Sequence, residues 1–167
     1  MGTFASWVQP VASILADDAE DIRTFIRAVS GSFWEGGSVV EGWTNRDVLA
    51  HMAGGNDQMV QSVLRSVIAG VIVEAHVLEP DTDAENAARV AERRSWPLPQ
   101  VIDEYEGGAE ELLDLLAQLR EEQRDVPLGA RSFTLGKLLR IVEHERHDRL
   151  HLRQLEASWS MRSDART

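Results

Sequence analysis

TLGKLLRIVEHERHDRLHLRQLEASW, residues 134–159, reads as a single helix: Thr134 supplies an N-cap, and the helix runs from Leu135 to about Trp159. Three of the chain's five histidines, His144, His147 and His151, fall inside it. At about 100° per residue, His151 lies about 40° and His144 about 60° from His147, so all three share one face. His147 and His151 have the i,i+4 spacing at which two imidazoles grip one ion on a helix, and Glu143 with His147 repeats that spacing. The same stripe carries Arg140, Glu143 and Gln154, so a helix face turned to water is the competing reading. A proton-transfer or pH-sensing role is a third.

Outward from this stretch the helical period recurs. Val8, Val11, Ile14, Leu15, Ile22, Phe25, Ile26 and Val29 predict a first helix that stops at Ser30-Gly31-Ser32, before a glycine-rich loop up to Trp43. Thr44 then caps a second helix, with Asp47 in the place of a capping-box acid. That helix runs through Val48, Leu49, Met52, Met59, Val63, Leu64 and Val67 to about Ile72, interrupted only by Gly54-Gly55. Residues 79–97 are the least organised, with acidic Glu79-Pro80-Asp81 and a short helix near 83–94. Pro99 suits the first turn of a third long helix reaching about Glu122, and Arg124 to Ser132 reads as a loop. With no alternating strand run and no internal repeat, the expected fold is an all-α domain of four long helices over residues 1–160. Residues 161–167 are expected to be a flexible tail.

Composition narrows the function. A length of 167 residues supports one domain and one core. The chain has no cysteine, which excludes disulfides, thiolate metal sites and cysteine catalysis, and leaves His and carboxylates as the only strong metal ligands. A net charge of −11 offers no electrostatic footprint for nucleic acid. No apolar run is long enough for a membrane span, and no basic leader precedes Asp17-Asp18, so a cytoplasmic location is expected. MGTFAS, with Gly2 and Ser6, matches the myristoylation pattern only formally.

His51 changes the weight of the three histidines. It lies in the second helix, with Val48, Gly55, Gln58 and Met59 within about a quarter turn. A lone histidine in such a run is often a satisfied core residue. Yet the small Gly54 and Gly55 beside it would leave a cavity inside a bundle, and facing helices of bundles assemble metal sites there. One histidine from the second helix and two from the fourth would leave a coordination position open.

These residues resemble a known family. Gly42-Trp43-Thr44 followed by Asp47-Val48-Leu49-Ala50-His51 is similar to the start of the second helix in the DinB-like (damage-inducible) four-helix-bundle superfamily. His147-Asp148-x-x-His151-x-x-Gln154-Leu155 resembles that superfamily's closing pattern. The GWTNRDVLAHMAGG stretch resembles most the mycothiol-dependent maleylpyruvate isomerase N-terminal branch.

The resemblance implies an up-down-down-up bundle with a long crossover between helices two and three, commonly a homodimer. It also implies a divalent metal held in a groove by His51, His147 and His151, and such nitrogen ligands would suit zinc or nickel. The isomerase branch pairs Glu and His on the last helix, which Arg140, Glu143, His147 and Asp148 satisfy, so Glu143 competes with His151 as third ligand. The all-histidine set is favoured because Gln154-Leu155 continues its register. Three function classes follow: a metal-dependent enzyme on a small electrophile, by thiol transfer, thiol-assisted isomerisation or hydrolysis, with a low-molecular-weight thiol as cosubstrate; a binder that sequesters a toxic small molecule; or a metal-free dimeric bundle. His144 and Arg140 are weak candidates for proton transfer and for holding a substrate carboxylate. Trp34, Trp43 and Trp159 are expected to be packing anchors.

Overall fold

The N-terminal apolar period becomes α1 (Gln9–Ala28), opened by Pro10 in the first turn, where an absent N–H leaves no bond unmade. The computed structural model of the chain describes residues 4–54, 56–78 and 82–164. One helical turn, α2 (Gly31–Trp34), turns Phe33 and Trp34 into the core. The expected capping box at the second helix is present: the Thr44 hydroxyl accepts from the Asp47 N–H at 3.1 Å, and the Asp47 carboxylate accepts from the Thr44 N–H at 3.0 Å.

That helix is shorter than the period suggested, and it is two helices. α3 (Asn45–Gly54) ends at the glycine pair, and α4 (Asn56–Ile68) begins beyond it. Gly55, expected to help open a cavity, lies outside the described residues, as do Gly2, Glu79-Pro80-Asp81 and residues 165–167. Gly70, at φ 71°, takes the left-handed conformation that ends α4. Its N–H bonds the Val67 carbonyl, the Val71 N–H bonds the Ser66 carbonyl, and Ile72 stands 83 % exposed past the end.

The crossover carries a 3₁₀ turn, Ala75–Leu78, and α5 (Asp83–Arg93), which opens on a reciprocal Thr82/Glu85 capping box. α6 (Leu98–Ala117) follows, then a 3₁₀ helix, Glu121–Asp125. Where a loop was expected, a two-stranded antiparallel hairpin forms from β1 (Pro127–Leu128) and β2 (Ala130–Thr134). β1 is too short to display an alternation. Gly129 at φ 56° makes its turn and donates its N–H to the Val73 carbonyl.

The last helix also divides. α7 (Leu135–Glu145) and α8 (His147–Asp164) meet at Arg146, whose φ of 43° and ψ of 56° are left-handed. α8 runs past Trp159, and residues 161–164, read from sequence as tail, are helical.

Four limbs therefore make the bundle: α1, α3–α4, α6 and α7–α8. α6 packs on α1, α3 and α4; α1 also lies against α7 and α8; and α3 lies against α8. One core cluster gathers Val11, Leu64, Leu116, Leu135 and Leu139, and the other Ile22, Trp34, Leu49, Tyr105 and Leu155. Among the described residues no helix is long and apolar enough to cross a membrane.

Candidate metal centre

The break at Arg146 decides which histidines meet. Asp18 on α1 is 1 % exposed, and an unpaired carboxylate there would be costly. Arg146 answers it with a bidentate contact, its Nε at 3.0 Å, and Arg149 adds a third bond at 3.0 Å. With Arg146 held in this position, α7 closes on the bond from the Arg146 N–H to the Val142 carbonyl, and α8 starts again one residue later. His147 becomes the first residue of α8, with His151 one turn on, while His144 stays on α7.

His51, from α3, completes the group. The Nε2 atoms of His147 and His151 are 3.0 Å apart and those of His51 and His147 3.3 Å, and all three histidines' ligand atoms lie within 4.8 Å of one another. Nitrogens bound tetrahedrally to one ion at a zinc–nitrogen length would stand about 3.3 Å apart. The rings meet edge to face, with centroids 4.4 to 5.2 Å apart, and the edge of Trp43 braces His51 at 5.3 Å.

Outer contacts set which nitrogens face inward. His151 Nδ1 donates to Gln154 Oε1 at 2.7 Å, which fixes the proton there and leaves the lone pair on Nε2. His147 Nδ1 is 3.6 Å from Asp148 Oδ1, a buried oxygen without a hydrogen-bond partner. The other Asp148 oxygen accepts from the Tyr105 hydroxyl at 3.0 Å. Burial, with the nearby imidazoles His151 and His147, pushes His51 down to about 4. Burial likewise lowers His151. Both are thus neutral at pH 7, and His151 presents its Nε2 lone pair to the cluster. Three imidazole nitrogens gathered at one point, two pairs of them within 3.3 Å, are a suitable donor set for a divalent cation.

His147 and Asp148 open onto a cavity of about 130 Å³ walled mainly by Leu15, Met59, Leu78, Leu138 and Val142. Arg140, Glu143 and His144 do not reach it. They line a separate cleft of about 810 Å³ with Trp7 and Arg124, and the two cavities share Ile141 and Glu145 as a common wall. Among the described residues, the group of histidines and acids that could hold an ion is His51, His147 and His151, without Glu143.

From the sequence, Gln154 served as part of a polar stripe and as a register mark, although the His151/Gln154 spacing of three is the signal for a contact on one helix face. Asp148, Tyr105, Asp18 and Arg146 were not assigned these supporting contacts. Trp34 is the packing anchor expected, 2 % exposed, whereas Trp43 stands against a site histidine.

A four-helix bundle with this histidine cluster between its second and last limbs is a DinB-like domain. The chain belongs to the mycothiol maleylpyruvate isomerase N-terminal domain family, whose model matches residues 15–148. That match takes in His51, Glu143 and His147 and ends before His151. No curated protein and no solved structure gives a match.

Proposed function

We propose that this chain is a divalent-metal-dependent enzyme acting on a small electrophilic molecule, with a low-molecular-weight thiol as cosubstrate. The reaction classes that fit are thiol transfer and thiol-assisted isomerisation, with hydrolysis as the variant in which water replaces the thiol. The observation that carries this reading is the convergence of three Nε2 atoms, two of them 3.0 Å apart. His51, His147 and His151 would hold the ion, and imidazole ligands suit zinc or nickel. Bound by three protein ligands, such an ion supplies Lewis acidity at an open position, enough to hold a thiol or water as its anion near neutral pH.

The chain's own residues do the rest. Gln154 keeps His151 in the tautomer that presents Nε2, and Asp148, held by the Tyr105 hydroxyl, sets a carboxylate 3.6 Å from His147 Nδ1. The small cavity beside His147 and Asp148 is walled mainly by apolar side chains, which suits a compact substrate. With no cysteine in the chain, a sulfur nucleophile must come from solution. The mycothiol in the matching family's name supports a sugar-linked thiol as the first to test.

Elemental analysis of protein purified without a histidine tag should find about one zinc or nickel per chain, in keeping with a single three-ligand site. Far less, even after metal is offered back, overturns the proposal in favour of a structural bundle. Metal-loaded protein incubated with a thiol and a panel of electrophiles should turn over; stoichiometric protection without turnover would identify a sequestering binder. His151→Ala should abolish metal binding, whereas binding retained there and lost in Glu143→Ala would move the third ligand to Glu143.

A further inference from the structure

The larger cleft has no part in the metal chemistry, and its lining is specific. It lies between the N-terminal segment, the 3₁₀ helix Glu121–Asp125 and α7, and its volume of about 810 Å³ is that of a small-molecule site. Trp7, Pro10, Val11 and Leu139 form an apolar side, and the Trp7 ring is held by its Nε1–H donating to the Arg120 carbonyl at 3.4 Å. Two guanidiniums, Arg124 and Arg140, line the same space.

In this acidic chain most described arginines are committed to carboxylates, as Arg23, Arg46, Arg65, Arg93, Arg94, Arg120, Arg146 and Arg149 are. Arg124 and Arg140 form no ion pair among the described residues. Gly136 explains how Arg124 is placed: a Cβ there would lie 3.0 Å from Arg124 Cγ and 3.1 Å from its carbonyl oxygen, so the missing side chain lets the Arg124 stem lie flat on α7. Glu143, Glu145 and His144 complete the lining. Glu143 and Glu145 balance the two guanidiniums in sum and disfavour a polyanion, but neither pairs with Arg124 or Arg140, so both forks remain to take one carboxylate.

We propose that this cleft is a second ligand site, independent of the histidine cluster, for an aromatic monocarboxylate. The ring packs against Trp7, and the carboxylate bridges Arg124 and Arg140. Because Ile141 and Glu145 also wall the cavity at His147, a ligand here occupies the outer face of the segment whose inner face meets that cavity.

The test is calorimetric titration of the full chain with 3-phenylpropionate and with its neutral counterpart 3-phenylpropanamide. The carboxylate should bind and the amide bind at least about tenfold more weakly, as expected for loss of a charge-assisted pair. Arg124→Gln and Arg140→Gln, both surface changes, should each weaken the carboxylate about tenfold without moving the melting temperature. His51→Ala should leave its affinity unchanged, which separates this site from the metal centre and from the proposed activity. Equal binding of acid and amide, full affinity in both arginine variants, loss of binding in His51→Ala, or no binding at millimolar ligand would each overturn the proposal.

Discussion

At the scale of the residue, the bond from His151 to Gln154 does more than hold two side chains together. By accepting from Nδ1 at 2.7 Å, Gln154 keeps the proton away from Nε2 and stops the ring from turning. Gln154→Leu should preserve the fold and lower metal affinity about 10–100-fold, measured by competition with a chromophoric chelator; unchanged affinity would show that the bond is incidental. The lowered basicity of His51 and His151 has its own signature in metal-free protein. Both groups titrate below the unfolded value near 6.5, so unfolding takes up protons as the pH falls beneath it. Stability should be full above about pH 6.5 and decline as pH drops toward about 4, where His51 titrates in the folded state. Chemical denaturation of the metal-free chain across that window checks the slope, and His51→Ala should flatten it. His147 and His151 were readable because spacing on a helix is fixed by geometry, and His51 because of the glycines beside it and the resemblance of its stretch to a known family. The Tyr105–Asp148 bond was not, since it joins residues 43 positions apart and depends on how α6 meets α8.

At the scale of the element, the division of the last helix is the feature the sequence hid. Arginine is a good helix former, and nothing in Glu145-Arg146-His147 signals a stop. A left-handed non-glycine residue costs about 1–2 kcal/mol, which the contact with buried Asp18 more than offsets. Tertiary pairing wins over local propensity here. Asp18→Ala should therefore act at a distance: it should destabilise the chain by about 2–3 kcal/mol, less than a fully buried pair because both arginines are partly exposed. It should also weaken metal binding, although no atom of Asp18 belongs to the histidine cluster. Thermal melts and chelator competition on the same variant read the two effects, and intact affinity would detach the helix break from the site. Gly54-Gly55, by contrast, was visible as a weak point. Whether it bends a helix or ends one depends on what packs beside it, and Arg93 from α5 occupies the space where a Gly54 side chain would stand.

At the scale of the whole molecule, the four limbs follow from apolar period and caps, whereas their arrangement follows from long-range pairs that no local pattern records. The histidine cluster ties α3 to α8 across the bundle, so an ion bound there acts on the stability of the entire fold. At 100 times its dissociation constant, metal should add about 2.7 kcal/mol, a rise in melting temperature of about 5–10 °C for a chain of this size. Chelator should reverse the rise, and His147→Ala should abolish it.

The crossover between α4 and α6 gives that tie a further meaning. One ligand precedes it in the chain and two follow, so His51 and His147, 96 residues apart, lie on opposite sides of it. If the chain is expressed as two pieces divided between α4 and α5, neither piece holds all three imidazoles, and the ion becomes the reporter of their rejoining. Reassembly should then depend on added zinc or nickel, and a chelator should part the halves.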